Sequence, residues 1–600
     1  MATEYIAPVE EFVFLLDEVI GPELEQADSD LSGDDVRQIL DEAARFFQEV
    51  WAPLDTVGDE QGCVFRDGAV TTPAGFRQAY AAFLDAGWNS VAAPAEFGGA
   101  GLSELIGQAV REFASSSCNS LGLYSGLTNG AHATIRRNGA PWMLEHVVPF
   151  MVAGKWTGTM CLTEPHCGTD LRLMTTRARP EEDGTYRLTG TKIFISGGDH
   201  DLADNIIHLV LAKLPDENGA YSNDLSSVSL FLVPKFKVDP ISGALGAANG
   251  VQVGGVEHKM GLKGNATCTL NFEGSIGYRL GRSDTGTCTS SSGMRGMFEM
   301  MNSARLGTGL QALASAQRAY THAANYARER LAGRAGNPAD RSGAPADPII
   351  VHPDVRRLLI KQASFIEAGR ALGLLVRGWL DEAGSGERAR RGAVGRFLTP
   401  VIKAFFSDRA FESSNDAMQL MGGHGYIREN GVEQLVRDGR IFQLYEGANG
   451  VQALDLVLRK LGADNGVAFF SFLSMVREAG QNIGPDSSLL PHADALMAAL
   501  QILEECGRWF LDDSRDAYDA GASSYDFLTM IGIFSCGYMW LLMALRAEAR
   551  LRSSPQDAFS QRKLHLAQYW FDRELPMIAS LKVRVQTGHA CLMGLPAELF

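Results

Sequence analysis

Residues 186–198 read YRLTGTKIFISGG, a short run of β-branched, aromatic and polar residues that stops at a glycine pair. Three more runs of this texture follow: NIIHLVLAKL (205–214), SVSLFLVPKF (227–236) and CTLNFEG (268–274). Gly, Asp and Asn turns separate them, so the block reads as an antiparallel β domain over 156–285. Working outward, the period changes on both sides. In VRQILDEAARFFQEVWAPL (36–54), Val36, Ile39, Leu40, Ala43, Phe46, Phe47 and Val50 share one helical stripe. Helical patterns return from about 290, interrupted by a Gly/Pro/Asp loop at 331–348 and by punctuation near 461–487. The chain therefore reads as mainly α with a central antiparallel β domain. The expected parts are an N-terminal extension (1–34), an N-terminal helical domain (35–155), the β domain, a C-terminal helical domain (286–465) and an additional helical domain (466–600). This order is not the βαβα alternation of a doubly wound sheet, and no GxGxxG follows a strand.

Composition narrows the function. Apolar residues make up 46% of the 600 and charged residues 21%, which is globular. With 54 basic and 71 acidic residues the net charge is −17, a poor field for nucleic acid or an anionic membrane. Local basic pockets for anionic ligands remain open. Nine cysteines form no CxxC pair and no zinc spacing, which predicts no metal, a reducing compartment and a cytoplasmic location. The opening MATEYIAPVEEF lacks the basic and apolar regions of a signal peptide. The stretch FLTMIGIFSCGYMWLLMAL (527–545) is uncharged and long enough to span a bilayer. It stands alone, carries Thr, Ser, Cys and two Gly, and has charged neighbours, so a buried helix is expected.

Four segments can carry chemistry. MCLTEPHCGTD (160–170) sets Thr163 and Thr169 beside Gly168, so hydroxyls can meet a phosphate or ring heteroatom while the backbone approaches closely; a plain hairpin loop is the alternative. KIFISGGD (192–199) ends a strand with Phe194 and Ser196, an aromatic face beside a hydroxyl. RLGTGLQALASAQRAYTHAANYARER (305–330) is an Ala-rich helix with Arg305 and Arg330 at its ends, able to grip two anionic groups or simply solvated there. QLMGGHGYIRENGVEQLVRDGRIFQLYEG (419–447) breaks a helix at Gly422, Gly423 and Gly425. A second helix then holds Val432, Leu435 and Ile441, and the segment ends on Tyr445, Glu446 and Gly447. A Glu on a tight turn after an apolar run can be partly desolvated, which raises its pKa and suits it to proton abstraction. A surface Glu before a turn is the plainer alternative.

Taken in this order, the segments resemble the acyl-CoA dehydrogenase family of flavoproteins over about 90–460. The shared motifs are the TEPxxG[ST]D loop, EHKMGLKGNATC (257–268), the Arg-to-Arg helix, QxxGGxG and the YEG turn. The opening EYIAPVEEFVFLLDEVIG and the tail after 470 are similar to a subfamily of about 600 residues, which includes methylthiopropionyl-CoA and broad-range fatty acyl-CoA dehydrogenases. The resemblance implies a helical domain, a middle β domain, a four-helix-type domain and an extra helical domain. It implies FAD as cofactor and formation of a trans-2-enoyl-CoA. Glu446 would take the α-proton while hydride leaves Cβ for the flavin. The substrate would be 3-methylthiopropionyl-CoA or a short- or medium-chain acyl-CoA. Electron-transfer flavoprotein would accept the electrons. Thr163 and Ser196 would bond the flavin ring with Phe194 near it. Thr169 would meet the pyrophosphate, and Met160, Leu162 and Gly168 belong to the same cofactor loop. Arg330, Gln419, Gly422 and Gly423 would reach FAD across a homodimer interface, and Ala448 and Asn449 follow the catalytic turn toward the cofactor. Arg305, Asn302, Thr169, Tyr445 and Gly447 would line the substrate. Some relatives carry the base just before the helix Arg, but Ala304 has no carboxylate.

Three positions depart from the family pattern: Ala448 where a hydroxyl residue is common, Asn265 where Ser is frequent and Ala332 where Gln is common. By the resemblance each would cost at most one or two hydrogen bonds to FAD, about 1 kcal/mol apiece, which touches cofactor affinity and leaves the chemistry in place. Met297, Met300 and Met301 precede Arg305 and either face an acyl cavity or fill core. An oxygen-using acyl-CoA oxidase is an alternative on the same fold. So is a nucleic-acid-associated flavoprotein, which the acidic balance disfavours.

Overall fold

Asn205–Lys213 and Val228–Pro234 are buried along their whole lengths. A strand covered on both faces reads as an unbroken apolar run, which is why neither alternates. They pair antiparallel, with Leu209 opposite Leu232 and Leu211 opposite Leu230. Val228–Pro234 also pairs with Thr267–Arg279, which pairs with Tyr186–Ser196. Arg177–Pro180 links that strand back to Asn205–Lys213. The seven-stranded sheet thus closes into a ring of five strands, flanked by Trp156–Cys161 and Val251–Val256. The expectation of a purely antiparallel domain needs correcting: Trp156–Cys161 runs parallel to Asn205–Lys213, and Arg177–Pro180 meets the same strand in parallel. A parallel pair needs a long crossover, and residues 162–204 supply one by building two other strands on the way.

This computed structural model describes residues 5–24, 31–281, 290–381, 384–512 and 514–600, with backbone alone for 290–300 and 517. The boundary expected at 285, Cys288, and the side chains of Met297 and Met300 lie outside the described residues. Two compact units are present, 40–304 and 1–39 together with 305–600.

In the first unit, helix Asn119–Asn138 packs on strand Trp156–Cys161. A Cβ on Gly158 would fall 2.5 Å from the Ala131 Cβ, so only glycine allows this approach. Thr128 Oγ1 accepts from the Gly158 N–H at 3.1 Å at the same contact. Met301 is half-buried against this unit's apolar core, so it serves as packing.

The second unit is helical. Its first long helix corrects the Arg-to-Arg reading: it runs Ser290–Glu329, so Arg305 is interior and only 5% exposed, while Arg330 lies just past the end and is exposed. No proline stands between 290 and 305, and Met, Arg, Glu and Ala there favour helix. Pro353–Asp381 and Glu387–Met421 pack side by side. Val432–Gly439 follows, and Ile441 falls outside it in a separate 3-10 turn, Arg440–Gln443.

The apolar stretch at 527–545 lies in helix Ala517–Ser553 and is buried. By length and composition that helix could cross a membrane, yet 89% of its most apolar window is covered by protein. Trp540 Nε1 in it donates to the Ser364 carbonyl at 3.0 Å. The N-terminal segment belongs to this unit. Phe12, Phe14 and Leu15 are fully buried, and Lys563 bridges Glu11 and Glu367 in the interior. One buried ammonium between two carboxylates ties the N-terminus, helix Pro353–Asp381 and tail helix Ala558–Tyr569 together.

Candidate functional site

In the first unit, an interior ion pair shapes the TEP loop. Lys192 is fully buried; its Nζ donates to the Leu162 carbonyl at 2.9 Å and to Glu164 Oε1 at 2.8 Å. Glu164 also accepts from the Thr175 amide at 2.7 Å, the Thr175 hydroxyl at 2.6 Å and the Thr176 amide at 3.1 Å. Burial alone would raise its pKa, but the Lys192 charge and these donors bring it down to about 2. The Ile193 amide donates to the Thr163 carbonyl at 2.9 Å, which lays the loop along the end of strand Tyr186–Ser196. Met160, Leu162, Thr163 and Ser196 are half-buried on this patch, and Gly168 and Thr169 are exposed. Phe194 is unusual twice over: it is 58% exposed and adopts a left-handed φ of 61°. An aromatic residue in that conformation is strained and open to solvent. Asn265 is buried and donates through Nδ2 to the Ser120 carbonyl at 3.2 Å, so its amide works inside the fold. Asn302 is half-buried, one turn before Arg305.

In the second unit, Glu446 and Gly447 occupy consecutive left-handed positions, φ 56° and 89°. The φ of 89° at Gly447 is one that other residues adopt only with strain, and a Cβ there would also displace the Gln452 amide, 2.4 Å away. The turn is gripped from several sides. Lys403 is fully buried in helix Glu387–Met421, and its Nζ donates to the Gly447 carbonyl at 2.7 Å and to Asn449 Oδ1 at 2.8 Å. Gln452 Nε2 donates to the Glu446 carbonyl at 3.0 Å and the Gly447 carbonyl at 3.2 Å. Tyr445 donates its hydroxyl to Gln311 Oε1 at 2.8 Å. Arg305 pairs with Asp455 at 3.1 Å, and its Nε is buried without a hydrogen-bond partner among the described residues.

Burial pushes the Glu446 carboxyl up to about 7, against the pull of Arg305 and Lys403. Burial also pushes the Lys403 ammonium down to about 8, with Glu446 and Asp408 opposing. A half-buried carboxylate poised near neutrality can accept a proton from a weak carbon acid. Ala448 stands at the N-cap of the short helix Asn449–Leu454 and offers no side-chain cap. Gln419, Gly422 and Gly423 lie together on an exposed face where helix Glu387–Met421 ends. The structure thus brings Leu162 and Thr163 to the strand end that carries Phe194 and Ser196, and in the second unit sets Arg305, Gly447 and Asn449 around Glu446, whereas Gly168, Thr169, Arg330, Gln419, Gly422 and Gly423 are exposed.

Four family descriptions match in order: "Acyl-CoA dehydrogenase, N-terminal domain" over 33–155, "middle domain" over 159–275, "C-terminal domain" over 291–461, and "Acetyl-CoA dehydrogenase C-terminal like" over 472–596. The chain is 37% identical to 3-methylmercaptopropionyl-CoA dehydrogenase of Ruegeria pomeroyi over 98% of this chain and 99% of that one. The chain belongs to the acyl-CoA dehydrogenase family. Another member of this family, the broad-specificity linear acyl-CoA dehydrogenase FadE5 of Mycobacterium tuberculosis, is 31% identical over 100% of both chains. The family fold is also that of Caenorhabditis elegans ACDH-11, solved with C11-CoA, at a TM-score of 0.76 and 19% identity over 94% of this chain and 91% of that one.

Sequence reasoning missed the residues behind this acyl-CoA dehydrogenase family turn: Lys403, Asp408, Gln452 and Gln311. One signal was present. Lys403 is a lone charge inside the apolar run TPVIKAFF (399–406), and a lysine there has to find acceptors or unfold the packing.

Proposed function

We propose that the chain catalyses the α,β-dehydrogenation of an acyl-CoA thioester, with Glu446 as the base that removes the α-proton. The observation that carries this is the Glu446 turn itself: a carboxylate held on consecutive left-handed residues, partly desolvated, with its proton affinity near neutral pH. Bound FAD would supply the hydride acceptor. The exposed, strained Phe194 ring with the Thr163 and Ser196 hydroxyls nearby suits a flat, hydrogen-bonding ring system. Met160, Leu162, Gly168 and Thr169 would complete that cradle.

The chain's own residues divide the work. Glu446 takes the proton at its carboxylate, and its backbone N–H would donate to the thioester oxygen as negative charge develops there. Arg305, with a buried open donor at Nε, and Asn302, Tyr445 and Gly447 would orient the substrate. Lys403 and Gln452 keep the turn from relaxing. The exposed Arg330, Gln419, Gly422 and Gly423, with Ala448, would serve the cofactor of a homodimer, whereas the Asn449 side chain is buried and already spent on Lys403 and Asp408. The substrate would be 3-methylthiopropionyl-CoA or a short- to medium-chain acyl-CoA; the names of two relatives, one a methylmercaptopropionyl-CoA and one a broad-specificity linear acyl-CoA dehydrogenase, agree with an acyl-CoA of this kind without fixing its length. Electron-transfer flavoprotein would be the acceptor.

The test is an anaerobic titration of the holoenzyme's flavin absorbance with acyl-CoAs of graded length, 3-methylthiopropionyl-CoA included. Bleaching by one of them without added acceptor is expected. No bleaching by any would reject the reading, and rapid peroxide formation in air would make the protein an oxidase.

A further inference from the structure

A continuous chain of hydrogen bonds joins the C-terminal helical region to the Glu446 turn. Tyr525, in helix Ala517–Ser553, donates its hydroxyl to Asp408 Oδ2 at 2.6 Å. The other oxygen of Asp408 accepts from Asn449 Nδ2 at 2.8 Å and from Gln443 Nε2 at 2.7 Å. Asn449 Oδ1 accepts from Lys403 Nζ, which also holds the Gly447 carbonyl. Four side chains therefore lead from the tail helix to the residue beside Glu446. The packing brings these helices close at the same place. Gly532, two turns along from Tyr525, lies against the ring of Phe405, which shares a helix with Lys403 and Asp408. A Cβ on Gly532 would fall 2.4 Å from Phe405 Cγ, so glycine permits the approach that puts Tyr525 in reach.

We propose that Tyr525 is a positioning residue for Glu446, so that the additional helical domain takes part in the active site. This rests on the reading of Glu446 as the base. By occupying one oxygen of Asp408, the tyrosine leaves the other for Asn449 and Gln443, and Asn449 in turn aims Lys403 at the turn. Without that donor the carboxylate competes for the remaining ones and the network can re-aim. The charged groups around the network come from several elements: Arg305 from Ser290–Glu329, Lys403 and Asp408 from Glu387–Met421, Arg440 from Arg440–Gln443, and Asp455 and Arg459 beyond the turn. Tyr525 is 38% exposed, so water can replace part of its contribution and the effect is graded.

The test is Tyr525→Phe in the full-length holoenzyme, with Asp408→Asn as a second variant. Hydrogen exchange of the backbone amides at 443–452 should quicken about three- to tenfold, the scale of one ordinary hydrogen bond lost in a partly wet site. The anaerobic bleaching rate should fall by a similar factor and its pH midpoint should move, while flavin retention holds. Exchange and pH profiles that superimpose on the wild type would overturn the proposal. So would a lowered melting temperature with an unmoved pH midpoint, which marks a merely structural contact. If the wild type is bleached by no acyl-CoA, the assignment of Glu446 fails by itself, and exchange at 443–452 still decides whether Tyr525 holds the turn.

Discussion

Lys403 Nζ lies 2.7 Å from the carbonyl oxygen of Gly447 and so grips the residue that follows Glu446. A fully buried ammonium is costly to keep, and it persists here because it has two acceptors and faces a carboxylate. It fixes the strained turn, and its charge keeps the Glu446 proton affinity from climbing higher.

Glu446→Gln keeps the size and the turn but removes the base. Flavin should stay bound, and the rate of bleaching by acyl-CoA should fall about 10²- to 10⁴-fold. Stopped-flow absorbance at the flavin band measures it, and a wild-type rate in the variant would show that the base is elsewhere.

The pH dependence follows from the same carboxylate. Only its deprotonated form accepts a proton, so kcat/KM should fall tenfold per unit below about 7 and level off above it. Lys403→Met removes a positive charge that stabilises the carboxylate, so the acidic limb should move to higher pH. Lys403→Arg should move it less. A limb that stays put in both variants would argue against the coupling.

Phe194→Gly should split two readouts. The left-handed backbone at 194 suits glycine, so the apoprotein should lose no stability or gain about 1 kcal/mol. Flavin retention should weaken, because the exposed ring is gone. Thermal unfolding and flavin release by ultrafiltration give the two numbers; equal retention would remove Phe194 from the cofactor site.

Lys192→Met strands the Glu164 carboxylate in the interior. Breaking one side of a buried pair costs about 3–5 kcal/mol. Replacing both residues, Glu164→Gln with Lys192→Met, should recover part of that loss in denaturant titrations. A single variant as stable as the wild type would mean that the loop is held by its backbone alone.

Much of the fold is legible in the sequence because it rests on local pattern. NIIHLVLAKL is unbroken apolar sequence because that strand is buried on both faces, and the stripe through Val36 and Leu40 marks a helix with one covered side. Turn chemistry is equally local: Tyr445, Glu446 and Gly447 announce a tight turn. The place of Arg305 in its helix was not legible from the Arg-to-Arg motif, because the helix already runs from Ser290 and leaves that arginine in its interior. Nor was the parallel pairing of Trp156–Cys161, because the direction of a neighbouring strand is decided by a crossover far along the chain.

By itself the sequence determined the element types, the order of helices and sheet, and the residue types able to bind and to move a proton. Periodicity, turn residues and short motifs encode those within a few residues. Only the tertiary structure decided which interior groups surround Glu446. Lys403 lies 43 residues before it and Tyr525 lies 79 residues after it, on helices that packing alone brings together. A proton affinity near neutrality is a property of that assembled, partly dry environment. No stretch of chain carries it alone.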